Sequence, residues 1–122
     1  MIKKDVVIIG GGAAGLAAAI ACRALGIDNI LVVERENALG GILKQCIHDG
    51  FGLIKFRQSY TGPEYAQKYI DQVEQKQIPY ILNSMAIDIH KEYEEKIINI
   101  TVVNQSGLEK IQAKSVILAM GC

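Results

Sequence analysis

The sequence carries no excess of charge of either sign, no apolar run long enough to cross a bilayer, no cysteines at metal-ligand spacing and no internal repeat. Thirteen lysines and arginines balance thirteen aspartates and glutamates, which removes the electrostatic case for nucleic acid or an anionic membrane surface. Without a long apolar stretch there is no transmembrane segment to assign. Cys22, Cys46 and Cys122 are an odd set without ligand spacing. Neither a disulfide framework nor a metal site is therefore expected, and the usage fits a reducing, cytoplasmic setting. Half of the residues are hydrophobic against 21% charged, so the chain reads as globular rather than disordered. At 122 residues it has the size of one ordinary domain.

What is present is concentrated near the start. Residues 6–15 read VVIIGGGAAG. Residues 6–9 are wholly apolar and β-branched, as in a parallel strand buried on both faces. Gly10 allows a sharp strand-to-helix turn, Gly12 lets a diphosphate approach the backbone, and Gly15 lets the helix lie close on the strand. Ala13, Ala14 and the alanine- and leucine-rich residues up to Leu25 favour that helix, and Gly26 is placed to end it. Its unpaired N–H groups and positive end would face the ligand's negative charge. A second apolar run, residues 29–33, ends at Glu34, about twenty residues downstream, where a carboxylate should bond a ribose hydroxyl. The pattern predicts a strand, turn and helix that grip the diphosphate of a dinucleotide. Lys3 and Lys4 ahead of small residues imitate an export signal, but Asp5 and the glycine triplet belong to this unit instead.

Residues 35–41 form a short polar connection, and residues 42–60 have no clean periodicity, as expected of a ligand-wrapping loop or a broken helix. Thr61 as cap, Pro63 and Glu64 then open a helix whose stripe joins Tyr65, Ala66, Tyr69, Ile70 and Val73. Pro79 is expected to stop it. Residues 80–82 are a short strand candidate. Residues 85–90, 97–103 and 108–113 predict three short antiparallel strands around turns at 91–96 and 104–107. Residues 115–119 read as one more parallel strand beside the first. The expected fold is α/β, a Rossmann-like parallel sheet with flanking helices and a small antiparallel three-stranded meander.

The ordered set of residues 6–15, Glu34 with Arg35, Gly40 with Gly41, and the terminal VILAMG of residues 116–121 resembles the FAD domain of the pyridine nucleotide-disulfide oxidoreductase superfamily, in its N-terminal half. Residues 40–53, GGILKQCIHDGFGL, with TGPEYA at 61–66, are similar to a narrower group, bacterial FAD-dependent oxidoreductases of the anaerobic glycerol-3-phosphate dehydrogenase kind. The resemblance implies FAD as cofactor. It places Gly10, Gly12, Ala13, Ala14 and Gly15 at the diphosphate, Glu34 with Arg35 at the adenosine ribose, and Gly40, Gly41 and Ile42 along the diphosphate and ribityl chain. Ala86 would meet adenine through its backbone, and Gly121 would close on the cofactor. Met120 stands where the superfamily usually has threonine. The resemblance also implies a partial FAD-binding domain over residues 1–122, without nicotinamide and C-terminal domains and inactive alone. The intact enzyme would pass reducing equivalents between a small organic substrate, such as glycerol 3-phosphate, and NAD(P) or a partner subunit. Uncovered sheet edges and apolar faces predict self-association.

The residues themselves favour FAD over NAD. Glu34 is the longer carboxylate, and residues 85–113 add strands that a minimal NAD unit lacks. A carboxylate also opposes a 2′-phosphate, an objection that Arg35 softens. Disulfide reductases of the superfamily carry a Cys-x4-Cys pair; here Phe51 stands where a partner for Cys46 is needed, so dithiol exchange is unsupported. Cys46 and His48 are the weak catalytic candidates, a thiol and an imidazole near the flavin edge, set against an ordinary loop cysteine and a solvated histidine. Two alternatives stay open, an NAD-binding dehydrogenase domain and a non-catalytic nucleotide-binding module.

Overall fold

The computed structural model describes residues 1–41 and 62–120. Strand β1 is Ile2–Ile9, helix α1 Ala13–Ala24, strand β2 Ile30–Val33, helix α2 Gly62–Gln75, and strands β3 to β6 are Tyr80–Ile81, Met85–Glu92, Ile97–Asn104 and Gly107–Leu118. They form a six-stranded sheet in the order β3-β2-β1-β6-β5-β4. The first four neighbours run parallel and the last two pairings are antiparallel. The expected combination of a parallel sheet and a meander is therefore present.

Four boundaries differ from expectation, each for a physical reason. Residues 108–113 and 115–119, expected as separate strands, are the single strand β6. Lys114 does not interrupt it, because it lies where the pairing passes from Lys4↔Ala113 to Val6↔Ser115 and its Nζ sits 3.3 Å from Asp5 Oδ1. One strand thus closes the meander on one edge and flanks β1 on the other. β1 begins at Ile2 rather than Val6 because Ile2, Lys3 and Lys4 pair with Ile111, Gln112 and Ala113, and Lys91 and Glu92 extend β4 by pairing with Ile98 and Ile97. Finally, α2 ends before Pro79 acts on it: Gln77 takes a left-handed φ of 54° and Ile78 N–H returns to Val73 O at 3.1 Å. Gly26 closes α1 as expected, with φ 91° and Ile27 N–H on Cys22 O at 3.1 Å. The proposed cap Thr61 lies outside the described residues.

The core has two faces. Val6, Ile8, Ile30 and Val32 meet Leu16 and Ala19 of α1 and Tyr69 and Val73 of α2. Alternate residues Val7, Ile9, Leu31 and Val33 form a second cluster with Ile100, Val102, Ile111 and Ala113. Ile100 and Val102 are fully buried although β5 lies toward the edge of the sheet, because they belong to this second cluster with residues of β1 and β2. Burial of β1 and β2 on both sides explains why their sequences are continuously apolar.

Candidate functional site: the glycine corner at the end of β1

Where β1 ends, the chain cannot continue with side chains. Gly10 has φ +116°, and a Cβ there would overlap the Ala119 carbonyl oxygen. A Cβ on Gly15 would overlap the Gly10 carbonyl oxygen, which is how α1 packs against the strand that precedes it. Gly12 differs. Its backbone is extended, with φ −80° and ψ −171°, and a Cβ would meet only Gly41 Cα at 3.7 Å. Glycine at this position leaves space outside the protein's own packing.

The N–H groups divide in the same way. Gly10 N–H donates to Val33 O at 2.8 Å, while Gly11 C=O accepts from Gly40 N–H at 2.8 Å. Gly11 N–H donates to Glu34 Oε1 at 2.8 Å. The first bond returning into α1 comes from Leu16 N–H to Gly12 O, at 2.9 Å. The N–H groups of Gly12, Ala13, Ala14 and Gly15 precede that bond; the parallel bridge to Gly40 engages the Gly12–Ala13 stretch, and the N–H groups of Ala14 and Gly15 make no hydrogen bond to another described residue. No side chain caps α1, and no acidic residue lies in its first turn. A helix start of this kind presents donors and positive potential together.

Glu34 is buried, at 6% exposure. Its second carboxylate oxygen accepts Glu36 N–H at 2.7 Å. The chain after β3 wraps around this segment, with Asn83 N–H on Glu36 O at 2.8 Å and Ser84 N–H on Glu34 O at 3.0 Å. The next residues lead into β4, where Ala86 is half-buried within the second core cluster. Arg35 is exposed, with Nε 3.7 Å from Glu36 Oε1. It lines an open cleft of about 320 Å³ with Asn83, Met85, Val103, Asn104 and Gln105.

Gly10, Gly12, Ala13, Ala14, Gly15, Glu34, Gly40 and Gly41 are thus gathered at one corner. Gly40 bridges to Gly12 in parallel fashion, and Gly41, with φ +61°, places its Cβ position 3.0 Å from Gly12 Cα. Arg35 stands beside the corner. Ile42, Cys46, His48 and Gly121 lie outside the described residues. Sequence reasoning passed over Gly11 and Leu39. A Cβ on Gly11 would come 2.7 Å from Leu39 Cδ2 and 3.1 Å from Glu34 Oε1. The unbroken triplet GGG was the available signal for Gly11; nothing in the sequence marks Leu39.

His90 is exposed, with Nε2 3.1 Å from Glu92 Oε1 on the meander surface. Among the described residues no group of three or more His, Cys, Asp or Glu side chains could hold a metal ion, and no helix is long and apolar enough to cross a membrane.

Comparison with known proteins gives four findings. The sequence profile of the family described as pyridine nucleotide-disulphide oxidoreductase matches residues 4–122. Dihydrolipoyl dehydrogenase from Vibrio cholerae serotype O1 (strain ATCC 39315 / El Tor Inaba N16961) is 45% identical over 49 residues, which are 40% of this chain and 10% of that protein. Bacillithiol disulfide reductase Bdr (YpdA) from Bacillus cereus has the same fold over 98% of this chain and 40% of its own, at 23% identity and a TM-score of 0.79. OTEMO in an FAD-bound form covers 97% of this chain and 25% of its own, at 17% identity and a TM-score of 0.73. The matched parts therefore cover between a tenth and two fifths of the length of these proteins.

Proposed function

Because this chain belongs to the pyridine nucleotide-disulphide oxidoreductase family, we propose that it forms the FAD-binding part of a flavin-dependent oxidoreductase, with FAD held at the glycine corner. One observation carries the reading: the first turn of α1, with no side-chain cap and no acidic residue, stands next to the buried Glu34 carboxylate. The residues fit the cofactor. Glycine at position 12 keeps a Cβ away from the approach to this turn, and the carboxylate offers remaining lone pairs to a ribose diol.

FAD, when bound, supplies the hydride chemistry. This chain's residues bind and orient it. Gly12, Ala13 and Ala14 donate to the diphosphate, Glu34 accepts from the adenosine ribose, and Arg35 with the cleft reaching Met85 flanks the adenine side. Ala86, Ile42 and Gly121 complete the set by resemblance. The rest of the enzyme provides the substrate and acceptor sites, within a domain organisation in which residues 1–122 are one part. A small organic substrate and a nicotinamide or partner-subunit acceptor are the reading's outer limits. Glycerol 3-phosphate is the substrate to test first, on the resemblance of residues 40–53 and 61–66. A cytoplasmic location accords with an odd set of cysteines without ligand spacing.

The test is an absorption spectrum of the purified protein, with the released chromophore identified by mass. Flavin absorption and the mass of FAD are expected. A colourless protein that binds NAD and does not take up added FAD would overturn the proposal in favour of a nicotinamide domain. Self-association belongs to the same reading, since Met85, Val103 and Leu108 form an exposed cross-strand row; sedimentation of that preparation at rising concentration should show mass above the monomer.

A further inference from the structure

Resting on the diphosphate reading above, we propose that Glu34 is a positioning residue for the diphosphate loop, acting through the Gly11 peptide, in addition to any contact with ribose. The Gly11 residue is held on both sides. Its N–H is bonded to Glu34 Oε1 at 2.8 Å in a buried setting, and its C=O is bonded to Gly40 N–H at 2.8 Å. Glu34 is itself fixed, because its other oxygen takes Glu36 N–H at 2.7 Å and its backbone N–H and C=O are bonded to Ile81 O and Ser84 N–H at 2.9 and 3.0 Å. Leu39 closes the remaining space beneath Gly11.

The consequence is a division of labour among neighbouring amides. A flexible triplet such as Gly10, Gly11 and Gly12 has wide conformational freedom. A loop that must order itself when ligand arrives binds more weakly by the cost of that ordering. With Gly11 pinned to a buried carboxylate, the next residues start α1 with their N–H groups already directed outward. A charge-assisted hydrogen bond is strong enough to select one peptide orientation.

The sign of an experiment separates this role from simple electrostatics. Glu34 is an anion beside an anion site, so loss of its charge alone should tighten pyrophosphate binding. Glu34→Ala removes both the charge and the brace. Glu34→Gln removes the charge and keeps one acceptor, which can serve Gly11 N–H at the expense of the Glu36 N–H bond that the second oxygen takes. Inorganic pyrophosphate, which has no ribose, is titrated into each protein and followed by 31P NMR. ADP and FAD are titrated in parallel, and circular dichroism verifies the fold.

The expected result is pyrophosphate affinity about tenfold weaker in Glu34→Ala and equal to or tighter than wild type in Glu34→Gln. In 15N-resolved spectra the Gly11 amide proton should move upfield in Glu34→Ala and remain bonded in Glu34→Gln. Pyrophosphate affinity in Glu34→Ala equal to or above wild type, with ADP alone weakened, would overturn the proposal while leaving the diphosphate site standing. Should wild-type protein bind neither pyrophosphate nor FAD, both readings fall. If Glu34→Ala does not fold, Glu34→Asp decides: it keeps the charge and withdraws the carboxylate by one methylene, so it should weaken pyrophosphate, and unchanged affinity refutes the brace.

Discussion

A glycine can be required by the protein's own packing or by something that approaches it, and the corner holds both kinds. Gly15 is of the first kind, since any Cβ there runs into the Gly10 carbonyl oxygen. Gly15→Ala should lower the melting temperature by roughly 5–10 °C, the cost of forcing a methyl into filled space, and calorimetry on the free protein will measure it. Gly12 is of the second kind. Gly12→Ala meets only ordinary contact at 3.7 Å in a backbone conformation open to any residue, so its melting temperature should stay within about 2 °C of wild type while FAD affinity falls about tenfold or more. If the two variants behaved alike, the distinction would be lost. The motif in the sequence named both positions and already gave them these separate roles, diphosphate approach at Gly12 and helix packing at Gly15. Gly11 was not named, because its constraint comes from Leu39 and Glu34, which only the fold brings to it.

At the scale of elements, α2 combines a legible stripe with a feature that no pattern predicts. Ala66, Tyr69 and Val73 are buried on one stripe, as the spacing of apolar residues implies. Tyr65 and Tyr69, one turn apart, meet edge to face with ring centroids 5.2 Å apart and hydroxyls 3.0 Å apart. Burial first, and the Tyr65 hydroxyl second, push the Tyr69 phenol from 10.0 up to about 12. A raised pKa in the folded state means that the unfolded chain loses this proton first. The contribution of Tyr69 is therefore complete below pH 10 and declines as pH rises through about 12. Urea unfolding at stepped pH should show Tyr69→Phe to have a shallower loss of stability than wild type across that window, with the two proteins differing by a constant amount at neutral pH. Identical alkaline slopes would refute the assignment. The ends of the helices divide likewise: Gly26 was readable at the close of α1, whereas Gln77 makes the left-handed residue after α2 without any glycine to announce it.

For the whole molecule, β6 is the strand on which both halves depend. Ile111 lies opposite Ile2 of β1 on one side and Ile100 of β5 on the other, and all of its surface is buried. Ile111→Ala should cost about 2–5 kcal/mol, through lost transfer energy and the cavity left behind. Because the strand is shared, the meander and the parallel sheet should lose structure in one transition, monitored by far-ultraviolet circular dichroism and by calorimetry on the same sample. Two separate transitions would show that the halves are independent, contrary to the continuous pairing along β6.

The sequence alone determined the strand, turn and helix around Gly10 to Gly15, the carboxylate at the end of β2, and the presence of antiparallel strands beyond the parallel ones. These rest on local chemistry: β-branched runs, backbone freedom at glycine, and the periodic placement of apolar side chains. Tertiary structure alone decided that residues 107–118 are a single strand, that β5 residues share a core with β1 and β2, and that the Gly11 amide is held by Glu34. Each of these depends on contacts between residues far apart in the chain, where the energy of pairing and burial outweighs local preference, and a one-dimensional pattern carries no record of which distant partners will meet.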